Sequence, residues 1–345
     1  MKQLSYAAVI PSLHKLVLVV FLVMSTQGSG KADPFKGVYV IKTMQVDVVE
    51  QHYNALLKHL RLSGHDTSTL ERNTFVAHGK VKAIDDYLAS LKEKPRLIIP
   101  MATLASKHLK KYCEDRGIPM FFITVSQPVE AGLIQGFNQV NQGLVSGISH
   151  TIPITQIVDY VETVARLIKK SGPLRFSYVH STYPSATGFK AKLNKELKER
   201  KALSLVASEF AWQPDKVDQM MAKYKMHGEK ICAQVDFHLI PVGPLGIKKG
   251  TAQALLESCE KPIIFTVSQQ PLIEGALLRI DSNEEEVGRY AASGVMAILG
   301  NKEMSKIPPQ QVKSVKLGVN LRKAKELGIA FPSNILKLSI HNLVR

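Results

Sequence analysis

Short apolar runs alternate with segments of helical spacing along most of the chain. The first run, residues 37–41 (GVYVI), predicts a buried strand, and the apolar residues that follow at helical spacing predict a helix that ends before Gly64. Further strands are predicted at residues 97–100 and in the run that begins at Pro119, with a helix between them that ends at Gly117. This β-α-β-α-β order with short loops predicts a parallel sheet with right-handed crossovers.

The same cycle begins again after residue 149. Segments of helical spacing alternate there with apolar runs, which predict strands at residues 174–179, 203–207 and 237–242 and in the run that begins at Pro262. The repetition predicts a second α/β lobe. A mature chain a little over 300 residues long suits two such lobes, each with its own core.

The last third of the chain predicts connections between the lobes. Residues 276–280 predict a strand, and Ser282-Asn-Glu-Glu285 predicts a capping box that begins the next helix. Residues 313–319 are predicted to be extended, and Asn320 is predicted to cap a short helix that ends at Gly328. These segments predict two lobes that are joined by several crossings of the chain.

The tetrapeptide Thr-Val-Ser-Gln occurs twice, at residues 124–127 and 266–269, and closes an apolar run that begins at a proline each time. The two copies predict structurally equivalent strands whose polar residues emerge at the carboxyl end. Open parallel sheets bind ligands at that end. Two facing copies therefore predict a two-sided cleft, although short strings of this kind also recur by chance in buried strands.

A charged and apolar N-terminal segment predicts export. Lys2 and Lys15 precede nine uninterrupted apolar residues, 16–24, and small and polar residues follow to Ala32. This pattern predicts a signal peptide over residues 1–32 that is cleaved near Ala32. Nine residues are too few to span roughly 30 Å of hydrocarbon, which disfavours the alternative of an uncleaved anchor. No cysteine lies near the site to carry a lipid, so we expect a soluble, non-lipidated periplasmic protein.

The chain is strongly basic, with a formal net charge of +16. Removal of residues 1–32 takes away three lysines and no acids, which leaves +13. The basic residues are dispersed over predicted helix faces without interleaved aromatic residues. This favours a solvated basic surface, which steers anions or favours anionic lipid headgroups, over a nucleic-acid partner.

Three cysteines, Cys113, Cys232 and Cys259, are too few for a disulfide scaffold and lack C-x-x-C spacing. Export permits a bridge between Cys232 and Cys259. The preferred interpretation is that all three are small core residues.

Four ordered motifs resemble a known family. They are residues 128–133 (PVEAGL), 147–153 (GISHTIP), 184–187 (PSAT) and 319–329 (VNLRKAKELGI). From about residue 37 to residue 332 the chain is similar to ABC-transporter substrate-binding proteins of the tryptophan/tyrosine-binding type. The resemblance implies an α/β type I periplasmic-binding fold, with two Rossmann-like lobes, parallel sheets and a three-crossover hinge.

The family pattern also implies domain limits and partners. Lobe 1 is expected at residues 36–146 plus 276–312, and lobe 2 at residues 147–275 plus 313–340. The resemblance implies a monomer that traps a small-molecule ligand between the lobes and presents it to an inner-membrane ABC permease. The alternative is a sensor subunit that regulates a membrane signalling protein such as a histidine kinase or diguanylate cyclase.

This chain departs from the family pattern where an acid is expected to hold a ligand's ammonium group. Gln127 and Gly243 stand where the family usually has aspartates, and Ala186-Thr187 replaces an Asn-Ser pair. Burial of an unpaired cation costs several kcal/mol. Six predicted strand ends carry hydroxyls, amides and one imidazole but no acid, and the nearest acid, Asp47, is expected to face solvent. The departures predict a neutral or anionic ligand.

The candidate ligand-binding residues are the polar residues at these strand ends. Lobe 1 is expected to contribute Thr43, Gln45, Thr103, Ser126 and Gln127, and lobe 2 is expected to contribute Ser181, Tyr183, Thr187, Ser268 and Gln269. Gln127 and Ser268 are the best supported. Helix capping is the alternative for Thr103 and Thr187, and turn formation is the alternative for Tyr183. His180 is interpreted as a buried histidine with its hydrogen bonds satisfied.

Enzymatic motifs are missing from the sequence. It contains no G-x-S-x-G, P-loop, G-x-G-x-x-G or H-E-x-x-H. His52, His59 and His65 do not have the spacing of metal ligands, and a solvated helix face explains them better. We therefore expect no catalytic residue, no metal and no cofactor.

Overall fold

The computed structural model describes residues 33–139, 143–213 and 216–345. The predicted signal peptide lies outside these residues. From Pro34 onwards the chain folds as one unit that contains two sheets. The elements around each sheet are called the first lobe and the second lobe below.

The first lobe is built on a sheet of six parallel strands in the order β11-β5-β4-β3-β1-β2. Its strands are β1 (Val38–Lys42), β2 (Thr74–Val76), β3 (Leu97–Met101), β4 (Met120–Val125), β5 (Val145–Ser149) and β11 (Gln310–Gln311). Its helices are α1 (Asp47–Leu62), α2 (Ser68–Arg72), α3 (Val81–Ser90), α4 (Thr103–Arg116) and α10 (Glu284–Leu299). Strands β1, β3, β4 and β5 are almost entirely buried, which explains their continuous apolar runs.

The second lobe is built on a sheet of seven strands in the order β13-β12-β10-β9-β8-β6-β7. Its strands are β6 (Leu174–Ser181), β7 (Leu203–Phe210), β8 (Phe237–Leu239), β9 (Ile263–Thr266), β10 (Leu278–Ser282), β12 (Val315–Asn320) and β13 (Leu343–Val344). Its helices are α5 (Ile154–Ile168), α6 (Pro184–Lys198), α7 (Val217–Ile231), α8 (Thr251–Ser258), α9 (Gln269–Glu274), α11 (Leu321–Glu326) and α12 (Ser333–Leu338). Only β10 and β12 pair in antiparallel fashion among the described pairs, so the predicted α/β class with largely parallel sheets is confirmed.

The chain passes between the two sheets three times, after β5, after β10 and after β11. Two of these positions differ from the expected lobe limits. Strand β5 pairs in the first sheet as far as Ser149, beyond the expected limit at residue 146. Strand β10 pairs with β9 and β12, although residues 276–312 were expected in the first lobe. Apolar pattern alone does not reveal which neighbour a strand bonds, and the backbone hydrogen bonds decide it.

The two Thr-Val-Ser-Gln copies are not structurally equivalent. Thr124 has a φ of 61°, and the pairing register of β4 shifts between Ile123 and Val125. In the second copy β9 ends at Thr266 and Gln269 begins α9. The irregular end of β4 therefore gives the first copy a backbone that the second copy does not share.

The predicted capping box is also wrong in detail. Ser282 belongs to β10, and the side chain of Asn283 accepts the N–H of Glu285 at 3.0 Å as the N-cap of α10. The predicted cap at Asn320 is confirmed, because its side chain accepts the N–H of Lys323 at 2.8 Å.

Cys232 and Cys259 form a disulfide, with their Cα atoms 5.5 Å apart, contrary to the preferred interpretation as two separate core thiols. The bridge joins the residues that follow α7 and α8, because the two helices pack side by side. A bridge across a separation of 27 residues stabilises the folded state by about 3.5 kcal/mol in the loop-entropy model. Cys113 is a free, buried thiol, as expected, and burial raises its pKa to about 12.

Candidate functional site

A cavity, here called the inner cavity, lies between the two lobes at the carboxyl ends of their central strands. About 70 Å³ of it is open to the centre of a water molecule, which is room for about five waters. Its lining is mostly apolar, and it takes residues from both lobes. They are Thr43, Met44, Val46, Val48, Val49, Ala102, Thr103, Thr124, Ser126, His150, Tyr183, Ser185, Val242, Gly243, Pro244, Ile247, Val267 and Asp281.

A wider and more polar space adjoins the inner cavity and is here called the mouth. It has about 510 Å³ on the same measure and shares seven residues with the inner cavity, namely Met44, Val46, Val48, Pro244, Ile247, Val267 and Asp281. Its further polar residues are Gln45, Asp47, Gln51, Lys248, Ser268, Gln269 and Arg279. The site thus has a narrow apolar interior and a charged entrance, which is typical of a small-molecule pocket.

Two residues that line the inner cavity have a strained backbone. Ala102 has a φ of 73° and Thr124 a φ of 61°, a region that L-residues other than Asn and Asp rarely adopt. Ala102 directly follows β3, and Thr124 is the last residue but one of the neighbouring strand β4. Backbone strain of this kind costs of order 1–3 kcal/mol and concentrates at ligand sites.

His150, which lines the inner cavity, forms a buried pair with His52, so the predicted solvated helix face is wrong for His52. The Nδ1 atom of His52 lies 3.0 Å from the hydroxyl of Thr124, and its Nε2 atom lies 3.5 Å from the hydroxyl of Ser282. The ring of His150 lies 5.3 Å from that of His52. Burial lowers the pKa of both rings; the neighbouring His150 lowers that of His52 further, while Asp281 and a backbone bond to Val125 oppose the shift at His150. Both imidazoles are therefore neutral at pH 7.

Buried histidines make stability depend on pH. Burial lowers the pKa of His238 from 6.5 to about 4, and it lowers the pKa of His52, His150 and His180 as well. Below pH 6.5 the unfolded chain binds protons that the folded chain does not, so stability falls as the pH falls. For His238 the loss between pH 7 and pH 5 is about 2 kcal/mol. Urea unfolding at pH 7 and pH 5 measures it.

His238→Asn should remove about 2 kcal/mol of this difference between the two pH values. The control is His341→Asn, which changes an exposed histidine and should leave the difference as it is in the parent protein. A parent protein with equal unfolding free energies at pH 7 and pH 5 would contradict the prediction.

Two buried polar atoms in the inner cavity have no hydrogen-bond partner among the described residues. They are Nδ1 of His150, which follows β5, and Oγ of Ser185, in the first turn of α6. Buried polar groups are paired in the great majority of cases, because an unmade hydrogen bond costs about 1–3 kcal/mol. The two atoms approach the cavity from different elements and offer hydrogen bonds to a bound molecule.

The expectation of a cleft without an acid is wrong. Asp281 lines both the inner cavity and the mouth. Its Oδ2 atom accepts a hydrogen bond from Nη2 of Arg279 at 2.6 Å, and its Oδ1 atom accepts the N–H of Ser282 at 2.8 Å. Asp281 lies on β10, whose end is not among those six strand ends, and the sequence-based prediction therefore misses it. Asp47 is exposed at the mouth, as expected.

Seven of the ten predicted ligand residues lie in this region. Thr43, Thr103, Ser126 and Tyr183 line the inner cavity, and Gln45, Ser268 and Gln269 line the mouth. The hydroxyl of Thr43 donates to the carbonyl of Met101 and accepts the N–H of Ala105, both at 3.0 Å, so it also supports the start of α4. Neither Thr103 nor Thr187 caps a helix, because the N-cap positions of α4 and α6 are Ala102 and Tyr183.

The other three predicted ligand residues do not line either space. The hydroxyl of Ser181 accepts the N–H of Tyr183 at 3.4 Å, and that of Thr187 donates to the carbonyl of Pro184 at 3.1 Å. Gln127 is buried against α6 instead. A Cβ atom added at Gly188 would lie 3.1 Å from the Cβ atom of Gln127. Tertiary packing turns these three side chains toward local partners or the facing lobe.

Sequence reasoning missed several residues of the site. His150 lies inside the motif at residues 147–153 but is not among the predicted ligand residues. The alternation of polar Arg279 and Asp281 with apolar Leu278 and Ile280 is a signal for the missed acid, since alternate residues of a strand share a face.

His180 is buried, as predicted, but only one of its ring nitrogens is hydrogen-bonded. Nδ1 lies 2.9 Å from the carbonyl of Ser181, whereas Nε2 has no hydrogen-bond partner among the described residues and lies 3.5 Å from a carboxylate oxygen of Glu209. Over the described ranges no group of three or more His, Cys, Asp or Glu can hold a metal ion. No described helix is long and apolar enough to cross a membrane.

Two lobes with mostly parallel sheets, three crossings and an interlobe cavity define a type I periplasmic-binding fold. A family model described as ABC transporter substrate binding protein matches residues 37–342, and the chain belongs to this family. The expected family is thereby confirmed. No curated protein sequence matches the chain.

Solved structures support the same fold. A conserved domain protein from Vibrio cholerae is 19% identical, with a TM-score of 0.71, and the match covers 89% of this chain and 98% of that one. A Streptococcus pneumoniae ABC domain in complex with L-Trp is 16% identical, with a TM-score of 0.70 and coverage of 89% and 100%. A ligand-free, open substrate-binding protein with adhesive properties from Clostridium difficile is 17% identical, with a TM-score of 0.62 and coverage of 89% and 98%. At these identities the similarity concerns the fold alone.

Proposed function

We propose that this protein is a periplasmic solute-binding protein, exported by residues 1–32, that traps a small molecule between its lobes and presents it to an inner-membrane ABC permease. The observation that carries the proposal is the inner cavity, whose walls come from both lobes and contain unpaired polar atoms. Thr43, Thr103, Ser126 and Tyr183 are the proposed contacts in the interior, with Gln45, Ser268 and Gln269 at the mouth. The protein binds without making or breaking a bond.

The lobes also touch outside the cavity. Gln127 and Glu130, which follow β4, pack against α6 at Gly188, and a carboxylate oxygen of Glu130 lies 3.5 Å from the Nζ atom of Lys192. These contacts favour a closed arrangement. A ligand that touches both lobes stabilises the closed state relative to the open one, and that difference in affinity is what closes such proteins.

Native mass spectrometry of protein purified from its own periplasm tests the proposal. We expect one small molecule per chain, lost when the protein is unfolded and refolded, and small-angle scattering should show a larger maximum dimension after the loss. Addition of the recovered molecule should restore the compact form. Protein without a bound molecule, whose scattering is unchanged by a periplasmic extract, would contradict trapping between the lobes.

Presentation to a permease has a separate test. The ligand-loaded protein should stimulate ATP hydrolysis by an ABC permease of the same organism, chosen from the neighbouring genes and reconstituted in membranes. Stimulation of a neighbouring kinase or cyclase in place of the permease would identify a sensor subunit.

A further inference from the structure

The charges around the inner cavity restrict what it accepts. Among the described residues that line it, none is a lysine or arginine, and the one acid is Asp281. An anion in this space would find no cation free to pair with it, because the guanidinium of Arg279 at the mouth is already bound to Asp281. The start of α4 favours anions weakly, but the N–H of Ala105 in its first turn is already bound by Thr43. A buried anion without a partner is strongly disfavoured.

Cations are disfavoured for a different reason. One carboxylate oxygen of Asp281 accepts from Arg279 and the other from the backbone of Ser282. The Arg279 side chain is only 10% exposed, so a ligand cation would have to displace a nearly buried ion pair. Burial also lowers the pKa of His150, which keeps that ring uncharged at pH 7. The interior therefore offers no free charge of either sign.

Hydrogen bonding remains available at two points. A neutral imidazole has one donor and one acceptor nitrogen, and a serine hydroxyl both donates and accepts. Nδ1 of His150 and Oγ of Ser185 are buried and unpartnered, and both residues line the inner cavity. A head group that both donates and accepts, such as a primary amide or an alcohol, satisfies two such atoms.

The remaining surface fits an aliphatic body. Apolar side chains contribute most of the lining, and all but Met44 and the aromatic ring of Tyr183 are hydrocarbon and aliphatic. They are Met44, Val46, Val48, Val49, Ala102, Tyr183, Val242, Pro244, Ile247 and Val267. Side chains of this kind exclude water from a short carbon chain.

We infer that the inner cavity selects an uncharged aliphatic molecule of about five to seven non-hydrogen atoms, whose amide- or alcohol-type head hydrogen-bonds His150 and Ser185. This assignment rests on the proposed function and narrows its ligand class. It replaces the sequence-based expectation of a neutral or anionic ligand by an uncharged one.

A series of molecules with one aliphatic body and different head groups tests the assignment. Calorimetry on refolded, ligand-free protein compares 3-methylbutanamide and 3-methylbutan-1-ol with 3-methylbutanoate, 3-methylbutylammonium and L-leucine. We expect the amide or the alcohol to bind at least about tenfold more tightly than each charged member. One unsatisfied buried charge lowers the affinity by at least this factor. A charged member that binds as tightly as both neutral ones, or no binding by any member, overturns the assignment.

Two variants then locate the head group. His150→Phe keeps a ring without its hydrogen-bonding nitrogens, and Ser185→Ala removes the hydroxyl. Each should weaken binding of the preferred neutral member by roughly tenfold. His341→Phe and Ser90→Ala change exposed residues and are the matched controls. Because Ser185→Ala is the smaller change, it keeps the test decisive if His150→Phe does not fold, and full affinity in Ser185→Ala overturns the assigned contact.

Trapping between the lobes and the uncharged ligand class can be contradicted independently of each other. If the recovered natural ligand is charged, the ligand class is wrong, whereas trapping between the lobes stands. If no ligand is carried and no compaction occurs, the proposed function fails even when a neutral member of the series binds.

Discussion

Replacement of Arg279 by Met lowers the free energy of unfolding by about 3 kcal/mol, because it leaves the carboxylate of Asp281 without its cation. Arg279 and Asp281 lie two residues apart on β10, with both side chains only 10% exposed. The guanidinium also donates from Nη1 to the side chain of Gln269 at 3.0 Å. The value is placed at the lower end for a buried pair, since the mouth admits water to Asp281.

The double variant Arg279→Met with Asp281→Leu is the control, because it removes both charges at once. An apolar pair of similar volume is close to neutral or stabilising at buried positions, so most of the lost stability should return. Urea unfolding of the parent, the single variant and the double variant provides the three free energies. A single variant within 1 kcal/mol of the parent, or a double variant less stable than the single one, contradicts the prediction.

Replacement of Gly188 by Leu weakens binding of the naturally carried ligand at least about a hundredfold, because the lobes can no longer close. A Cβ alone at this position would lie 3.1 Å from Cβ and 3.4 Å from Cγ of Gln127 in the facing lobe. A leucine adds three more carbons at the same contact and separates Glu130 from Lys192. The apparent affinity of a closing protein falls in proportion to the population of its closed state.

The fold itself should tolerate this change, since leucine favours a helix interior by up to about 1 kcal/mol over glycine. The expected result is therefore lost binding with unchanged or higher unfolding free energy. Calorimetry, scattering and urea unfolding measure the three quantities. Gly188→Ala should have a small effect because the contact needs to move by only a few tenths of an ångström, and Ala191→Leu on the exposed face of α6 is the matched control. Parent-like affinity in Gly188→Leu means that closure does not use this contact.

The strands and helices were predicted from the local spacing of apolar residues. This spacing was sufficient to predict the elements that are long and buried. Strand β4 and helix α5 illustrate this, since the first is entirely buried and the second carries a strongly segregated apolar face. Strands β2, β11 and β13 contain two or three residues each and were not predicted. Such short strands exist because a neighbouring strand bonds them, which leaves little mark on their own sequence.

The sequence predicted the location of the candidate site better than it predicted which residues line the cavity. In each lobe the site lies at the carboxyl ends of parallel strands. Thr43 and Ser126 can therefore be predicted as lining residues from their positions after a strand. Gln127 also follows β4, yet it packs against Gly188 rather than lining the cavity. Which way a side chain turns after a strand depends on the facing lobe, and the local sequence contains no information on that contact.

The sequence by itself determined the fold class, the family and the presence of two lobes. The spacing of apolar residues and the ordered motifs are local properties that can be identified without a structure. Only the tertiary structure decided that Asp281 and Arg279 neutralise each other, that Cys232 bonds Cys259, and that His150 reaches the cavity with a free nitrogen. Each of these depends on distances between segments far apart in the chain or on the orientation of a side chain. The charge of the cleft, and hence the class of ligand, is therefore a property of the packed lobes.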